Sequence, residues 1–137
     1  KHLHEQIATG AEFIVTQFFL ENTHFLRWRA KLHHEGANVP LVAGILPPSN
    51  WKATKRMSEM CCVNIPQDLS ESLIKYENEP QTSREIGFEH VEQQIDELLA
   101  EGVEGVHLYA LNSLETVKRL GPKLRDAAST SSSLPAD

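Results

Sequence analysis

The sequence predicts an α/β fold with parallel strands, and more narrowly three βα units of an eight-unit (β/α)8 barrel, an incomplete barrel. Three observations carry this expectation. Short runs rich in aliphatic and β-branched residues alternate with segments of helical periodicity, in the order helix, β, α, β, α, α, α, β, α. The runs are apolar on both faces, as strands are when helical crossovers cover them. Three parallel strands alone leave two open edges, and a closed barrel of this kind needs about 250 residues. A chain of 137 residues therefore holds an arc of the barrel, with the remainder lost or the edges covered by another chain.

Each element has a local reason. Residues 2–9 follow a helical pattern, and Gly10 stands where a C′ glycine belongs. Beginning at Lys1 within that pattern, without a signal peptide, the chain is expected to lack upstream sequence. Glu12 to Phe19 reads as a buried strand. Asn22 is expected to cap the next helix, in which Phe25, Leu26, Trp28, Arg29 and Leu32 recur at helical spacing before Gly36. Val39 to Leu46 reads as a second strand, stopped by Pro47-Pro48. Ser49 or Asn50 caps a helix to about Cys61, and Pro66 opens a short helix around Leu69, Leu73 and Ile74. Thr82 to Ala100 is the clearest helix, with Ile86, Val91, Ile95, Leu98 and Leu99 along one face and Gly102 at its end. Gly105 to Leu111 is the third strand. Leu114 to Leu120 is the last helix, expected to end at Gly121-Pro122. The barrel-like part is expected over residues 1–125 and a small, polar, flexible tail or linker over 126–137.

Composition narrows the function classes. Hydrophobic residues are 40% and charged residues 23%, as in globular domains. The net charge of -6, without a basic face, argues against nucleic acid. No apolar run approaches the roughly 20 residues of a membrane span. Two adjacent cysteines, Cys61 and Cys62, exclude a disulfide scaffold and fit a reducing compartment. The seven histidines show no ligand spacing: His2 and His4 point apart on a helix, and His33-His34 sit at a helix end. No metal site is expected. Phosphate-loop, dinucleotide and nucleophile-elbow patterns are absent. The charges around Glu97, Glu101 and Glu104 read as solvated helix surface.

In such folds ligands bind at the carboxyl ends of the strands. Three sets of residues fall there: Gln17 with Phe18 and Phe19, Gly44 to Pro48, and Tyr109 to Ser113. Gln17 offers one acceptor and two donors to a heterocycle, or else bonds to a neighbouring loop. Tyr109 either stacks on a ligand or completes a layer of the barrel.

Three segments, read together, resemble methylenetetrahydrofolate reductase. They are Gly10-Ala11-Glu12-Phe13-Ile14-Val15-Thr16-Gln17-Phe18-Phe19, Pro40-Leu41-Val42-Ala43-Gly44-Ile45-Leu46-Pro47, and Gly102-Val103-Glu104-Gly105-Val106-His107-Leu108-Tyr109-Ala110-Leu111-Asn112. Their order matches the last three βα units of that family's barrel. Arg27, Val63-Asn64-Ile65-Pro66 and Gly87-Phe88-Glu89-His90 also fit, so the resemblance spans Lys1 to Arg125.

The resemblance implies an FAD-dependent oxidoreductase of one-carbon metabolism and methionine biosynthesis. In that family a nicotinamide nucleotide, NADH or NADPH, reduces the flavin, which passes hydride to methylenetetrahydrofolate. It implies substrate-binding roles for Gln17, against the folate pterin, and for Tyr109. A first-strand carboxylate acts as general acid in family members and is not in this chain, so no catalytic residue is assigned and the chain alone is not expected to turn over. Four positions depart from the family pattern. Ser113 replaces an arginine that meets a folate carboxylate, and Gln6 replaces a lysine that faces the flavin phosphate. Ala53 and Met57 replace the glutamine and aromatic stacker of bacterial members. The alternative is thus a catalytically degenerate subunit with a structural or interaction role. A homo-oligomer or larger assembly is expected, in the cytoplasm or the mitochondrion.

Overall fold

A computed structural model describes residues 13–109 and 113–130, with side chains to Leu124. The expected first helix, with Gln6 and Gly10, lies outside the described residues. Strand β1 (Ile14–Phe18) is followed by α1 (Asn22–His34), β2 (Leu41–Ile45), α2 (Trp51–Cys61) and α3 (Gln67–Lys75). Helix α4 (Pro80–Ala100), β3 (Gly105–Leu108) and α5 (Leu114–Thr130) complete the described chain. The strands form one sheet in the order β1-β2-β3, and both pairings are parallel. The three βα units therefore form an open sheet, the arrangement of a partial barrel.

The core lies on one face of this sheet. Side chains alternate along a strand, so Leu41, Ala43 and Ile45 of β2 all face the helices and are essentially fully buried. They meet Phe25 and Leu32 of α1 and the stripe Phe88, Val91, Ile95 and Leu98 of α4. The 3-4-3 spacing of that stripe keeps its residues on one side of a helix, which is why α4 is the sheet's principal cover. A smaller cluster, Leu20, Leu69 and Leu73, seats α3 beside the end of β1. The opposite face is open, with Val15 and His107 exposed on it.

Several expectations about helix ends are met. The Asn50 side chain caps α2 by accepting the Ala53 N–H at 2.7 Å, and Pro66 precedes α3. Gly36 and Gly102 follow α1 and α4 with positive φ. Two expectations are corrected. Asn22 is not a cap: Glu21 holds that position, and the Asn22 amide turns inward to pair with Gln94, because a buried amide needs a buried partner. Gly121-Pro122 does not end the last helix. Helix α5 runs through Pro122 to Thr130, so residues 126–130 are helical. Proline at this position removes one helical N–H without ending the helix, and Leu120, fully buried just before it, anchors the helix on the core. No helix among the described residues is long and apolar enough to cross a membrane.

Candidate functional site

The carboxyl end of the sheet is shaped by an irregularity in β1. Val15 pairs with Val42 and Phe18 with Gly44, so three steps along β1 match two along β2. The extra residue is a bulge, which re-aims side chains. Thr16 turns its hydroxyl into the ladder, where Oγ1 accepts the Gly44 N–H at 2.9 Å. The Thr16 carbonyl then accepts the Tyr109 hydroxyl at 3.0 Å. Tyr109 follows β3, and its N–H donates to the Ile45 carbonyl at 2.8 Å. Its ring thus crosses β2 to reach β1. Only glycine permits this at position 44, since a Cβ there would stand 2.4 Å from the Thr16 oxygen and 2.9 Å from the Tyr109 ring. His107 meets the Tyr109 ring edge-on, with centroids 4.6 Å apart. Tyr109 therefore does what a barrel-layer residue does, tying all three strands across the inner face.

Gln17 emerges from the bulge exposed, and its Nε2 donates to the Cys61 carbonyl at 2.9 Å. The loop-bonded alternative is thus the observed contact, made to the last residue of α2. Oε1 has no hydrogen-bond partner among the described residues and faces solvent with one donor hydrogen still free. Cys61 and Cys62 are free thiols, and exposed Cys62 caps α2 in the left-handed conformation, at φ 55°. Gln17 and Tyr109 converge on one rim through Thr16 and Gly44.

The Pro47-Pro48-Ser49 segment borders two hollows at the rim. One is an apolar hollow of about 110 Å³, lined by Phe18, Leu20, Leu46 and, from α2, Ala53, Thr54 and Met57. Ala53 and Met57 thus face one cavity. The other is a more polar hollow lined by Arg84, Phe88, Tyr109, Ser113, Glu115 and Thr116. Ser113 caps α5: its Oγ accepts the Thr116 N–H at 3.2 Å and the Thr116 hydroxyl at 3.0 Å. Helix α4 is pressed against Pro48, and Gly87 leaves the room for the Pro48 carbonyl.

Sequence reasoning did not find the polar network beneath this rim. His90 Nε2 lies 2.8 Å from the Leu20 carbonyl, and Gln94 Nε2 donates to the Phe19 carbonyl and to Asn22 Oδ1, both at 3.1 Å. These α4 side chains satisfy carbonyls that β1 leaves unpaired as it ends. A polar residue recurring inside an apolar helical stripe, Gln94 between Val91 and Ile95, was the available signal. Arg119 of α5 grips Glu85 with both terminal nitrogens, at 2.9 and 2.8 Å, and reaches Glu92 at 2.8 Å over the Phe88 ring. Its hydrogen bonds hold the Glu85 carboxyl below the usual range.

The opposite end of the sheet carries a brace. Arg29 donates to the Gly102 carbonyl at 2.9 Å and to Glu104 Oε1 at 2.7 Å, and Glu104 Oε2 accepts the Leu41 N–H at 3.1 Å. Glu104 is thus no free surface charge. Burial pushes its carboxyl up, but the Arg29 guanidinium and the backbone N–H groups outweigh this and hold it below the ordinary range. Among the described residues no group of three or more His, Cys, Asp or Glu side chains could hold a metal ion.

Comparison with known proteins fits this geometry. The family model described as methylenetetrahydrofolate reductase matches residues 1–124. Methylenetetrahydrofolate reductase 1 of Schizosaccharomyces pombe is 32% identical over 90% of the chain, which covers 21% of that protein. Methylenetetrahydrofolate reductase (NADH) 1 of Arabidopsis thaliana is 32% identical over 98%, covering 23% of its length. The 5,10-methylenetetrahydrofolate reductase of Escherichia coli is 31% identical over 83%, covering 38%. The chain therefore spans well under half the length of these relatives. An uncharacterized Clostridium thermocellum protein, titled as binding two copies of 5-methyl-5,6,7,8-tetrahydrofolic acid, shares the fold with a TM-score of 0.60 at 14% identity, over 93% of this chain and 47% of that one. With the family model matched over nearly the whole sequence, the chain belongs to the methylenetetrahydrofolate reductase family.

Proposed function

We propose that this chain forms the folate-facing arc of a flavin-dependent reductase that converts methylenetetrahydrofolate to methyltetrahydrofolate with electrons from a nicotinamide nucleotide. The exposed Gln17 carboxamide at the strand ends carries this reading. An amide that both donates and accepts matches the mixed edge of a pterin, and Gln17 exchanges its bond to the Cys61 carbonyl for bonds to the ring. Tyr109, fixed by Thr16, forms the adjacent wall. The folate title of the Clostridium thermocellum protein supports the same ligand class.

The residues present suit the ring of FAD. An open inner face with exposed Val15 and His107 beside an amide accepts a flat heterocycle. When bound, FAD supplies hydride transfer. Its phosphates call for cations, and Arg84 is the one cation lining the polar rim hollow among the described residues. This chain's own part is to orient the folate and wall off one side of the mouth.

Ser113 and the Ala53–Met57 hollow favour a second reading, a reductase-like subunit that keeps the fold without turnover. Flavin absorbance separates the two. The intact protein is expected to be yellow and to oxidise a nicotinamide nucleotide when the folate substrate is present. Gln17→Ala is expected to weaken folate binding about tenfold, the loss of one or two hydrogen bonds, with flavin content unchanged. A colourless, inactive intact protein overturns the reductase reading and leaves the subunit one.

A further inference from the structure

We propose that Arg84 is the specificity residue that grips the carboxylate tail of the folate, an assignment that rests on the reading above and adds a residue to it. Arg84 stands in the second turn of α4 and lines the rim hollow that also holds Tyr109 and Ser113. Its position is fixed, because Gly87, one turn further on, seats α4 directly against the Pro48 carbonyl. Its charge is poorly used within the chain. The one ion pair found for it joins Nε to Glu115 Oε2 at 3.6 Å, with the two side chains 44% and 61% exposed. At that distance and exposure the pair is weak. Among the described residues neither terminal nitrogen of Arg84 makes a hydrogen bond. Among the described residues nothing else occupies the guanidinium fork, and a fork of two parallel N–H donors matches a carboxylate.

A second donor faces the same hollow. Ser113 Oγ accepts both of its bonds from Thr116, so its own hydrogen remains to be donated. Glu115 beside Arg84 keeps the hollow near neutrality. A ligand carboxylate would take the Arg84 fork in exchange for the weak Glu115 pair. The hollow adjoins Tyr109, the residue proposed above as the wall beside the pterin.

The test compares variants of the intact protein for binding of 5-methyltetrahydrofolate, of a tetrahydropterin lacking the benzoylglutamate tail, and of the nicotinamide nucleotide. Arg84→Gln is expected to weaken 5-methyltetrahydrofolate about 10- to 100-fold, the range for a hydrogen-bonded charge. It is expected to leave the tail-less pterin and the nucleotide unchanged. Arg84→Lys is expected to fall between, keeping the charge but not the fork. Glu115→Gln, which frees Arg84, is expected to tighten 5-methyltetrahydrofolate severalfold. Equal weakening of both pterins shows a structural role and overturns the assignment. Weakening of the nucleotide alone assigns the fork to phosphate and also overturns it. Normal folate binding by Arg84→Gln sinks the assignment while sparing the reductase reading, whereas an unaltered protein that binds no folate sinks both.

Discussion

Gly87→Ala is a single-methyl change whose sign reverses the ordinary rule. Within a helix, alanine is favoured over glycine by about 1 kcal/mol. At this position a Cβ would sit 1.6 Å from the Pro48 oxygen and 2.8 Å from the Pro48 carbonyl carbon, while real Cβ atoms keep at least 3.0 Å. The neighbour is main chain, which cannot swing aside as a flexible side chain would. Helix α4 must instead shift by at least about 1.4 Å from the rim. That shift loosens the adjoining Phe88, which is 5% exposed, and disturbs the stripe down to Leu98. Overpacking of this kind costs about 1–3 kcal/mol, and partial loss of a buried aromatic contact adds to it. After the gain in helix propensity, a net loss of about 2–4 kcal/mol is expected, a fall in Tm of roughly 5–15 °C. Gly36→Ala is the comparison, for it has a positive φ but nothing within 4 Å of an added Cβ, so about 1 kcal/mol is expected from the backbone alone. Thermal and urea unfolding of both variants, monitored by circular dichroism, measure the difference. A Gly87→Ala protein as stable as the parent, or more so, would refute the reasoning.

Substitutions at two further positions follow. Glu104→Gln is expected to cost about 1–2 kcal/mol at neutral pH, through its bonds to Arg29 and the Leu41 N–H. The folded carboxyl is held below its unfolded value of about 4.3. Its contribution is therefore full above that pH and is lost as pH falls through the folded value. Urea titrations of parent and variant should converge in acid, and a gap that persists at pH 2 would exclude this origin. Cys62→Gly is expected to stabilise by about 0.5–1 kcal/mol, since a non-glycine residue at φ 55° is strained. Cys62→Ala keeps the strain and should show no gain; equal gains would assign the effect to the thiol.

Much of the fold was legible because it rests on local rules. The stripe Val91, Ile95 and Leu98 announces a covered helix by spacing alone, Asn50 announces the cap of α2, and the apolar runs at Val15, Val42 and Val106 announce strands, which the helices cover on one face only. Gln17 and Tyr109 were placed at one rim by counting to the ends of those runs. Asn22 and Pro122 were misread for a common reason. Each carries a strong local preference, for a cap and for a helix end, and each is overruled by burial: Asn22 by the Gln94 amide, Pro122 by the Leu120 anchor beside it.

The order of elements, the parallel class of the sheet and the family resemblance are properties of the linear sequence, because periodicity and ordered motifs survive without coordinates. What Gln17 touches, which oxygen receives the Tyr109 hydroxyl, and that Arg84 and Ser113 share a hollow depend on the β1 bulge and on the seating of α4 at Gly87. Those contacts join residues between 29 and 93 positions apart, a separation over which sequence pattern carries no geometry and only the packed chain fixes distance.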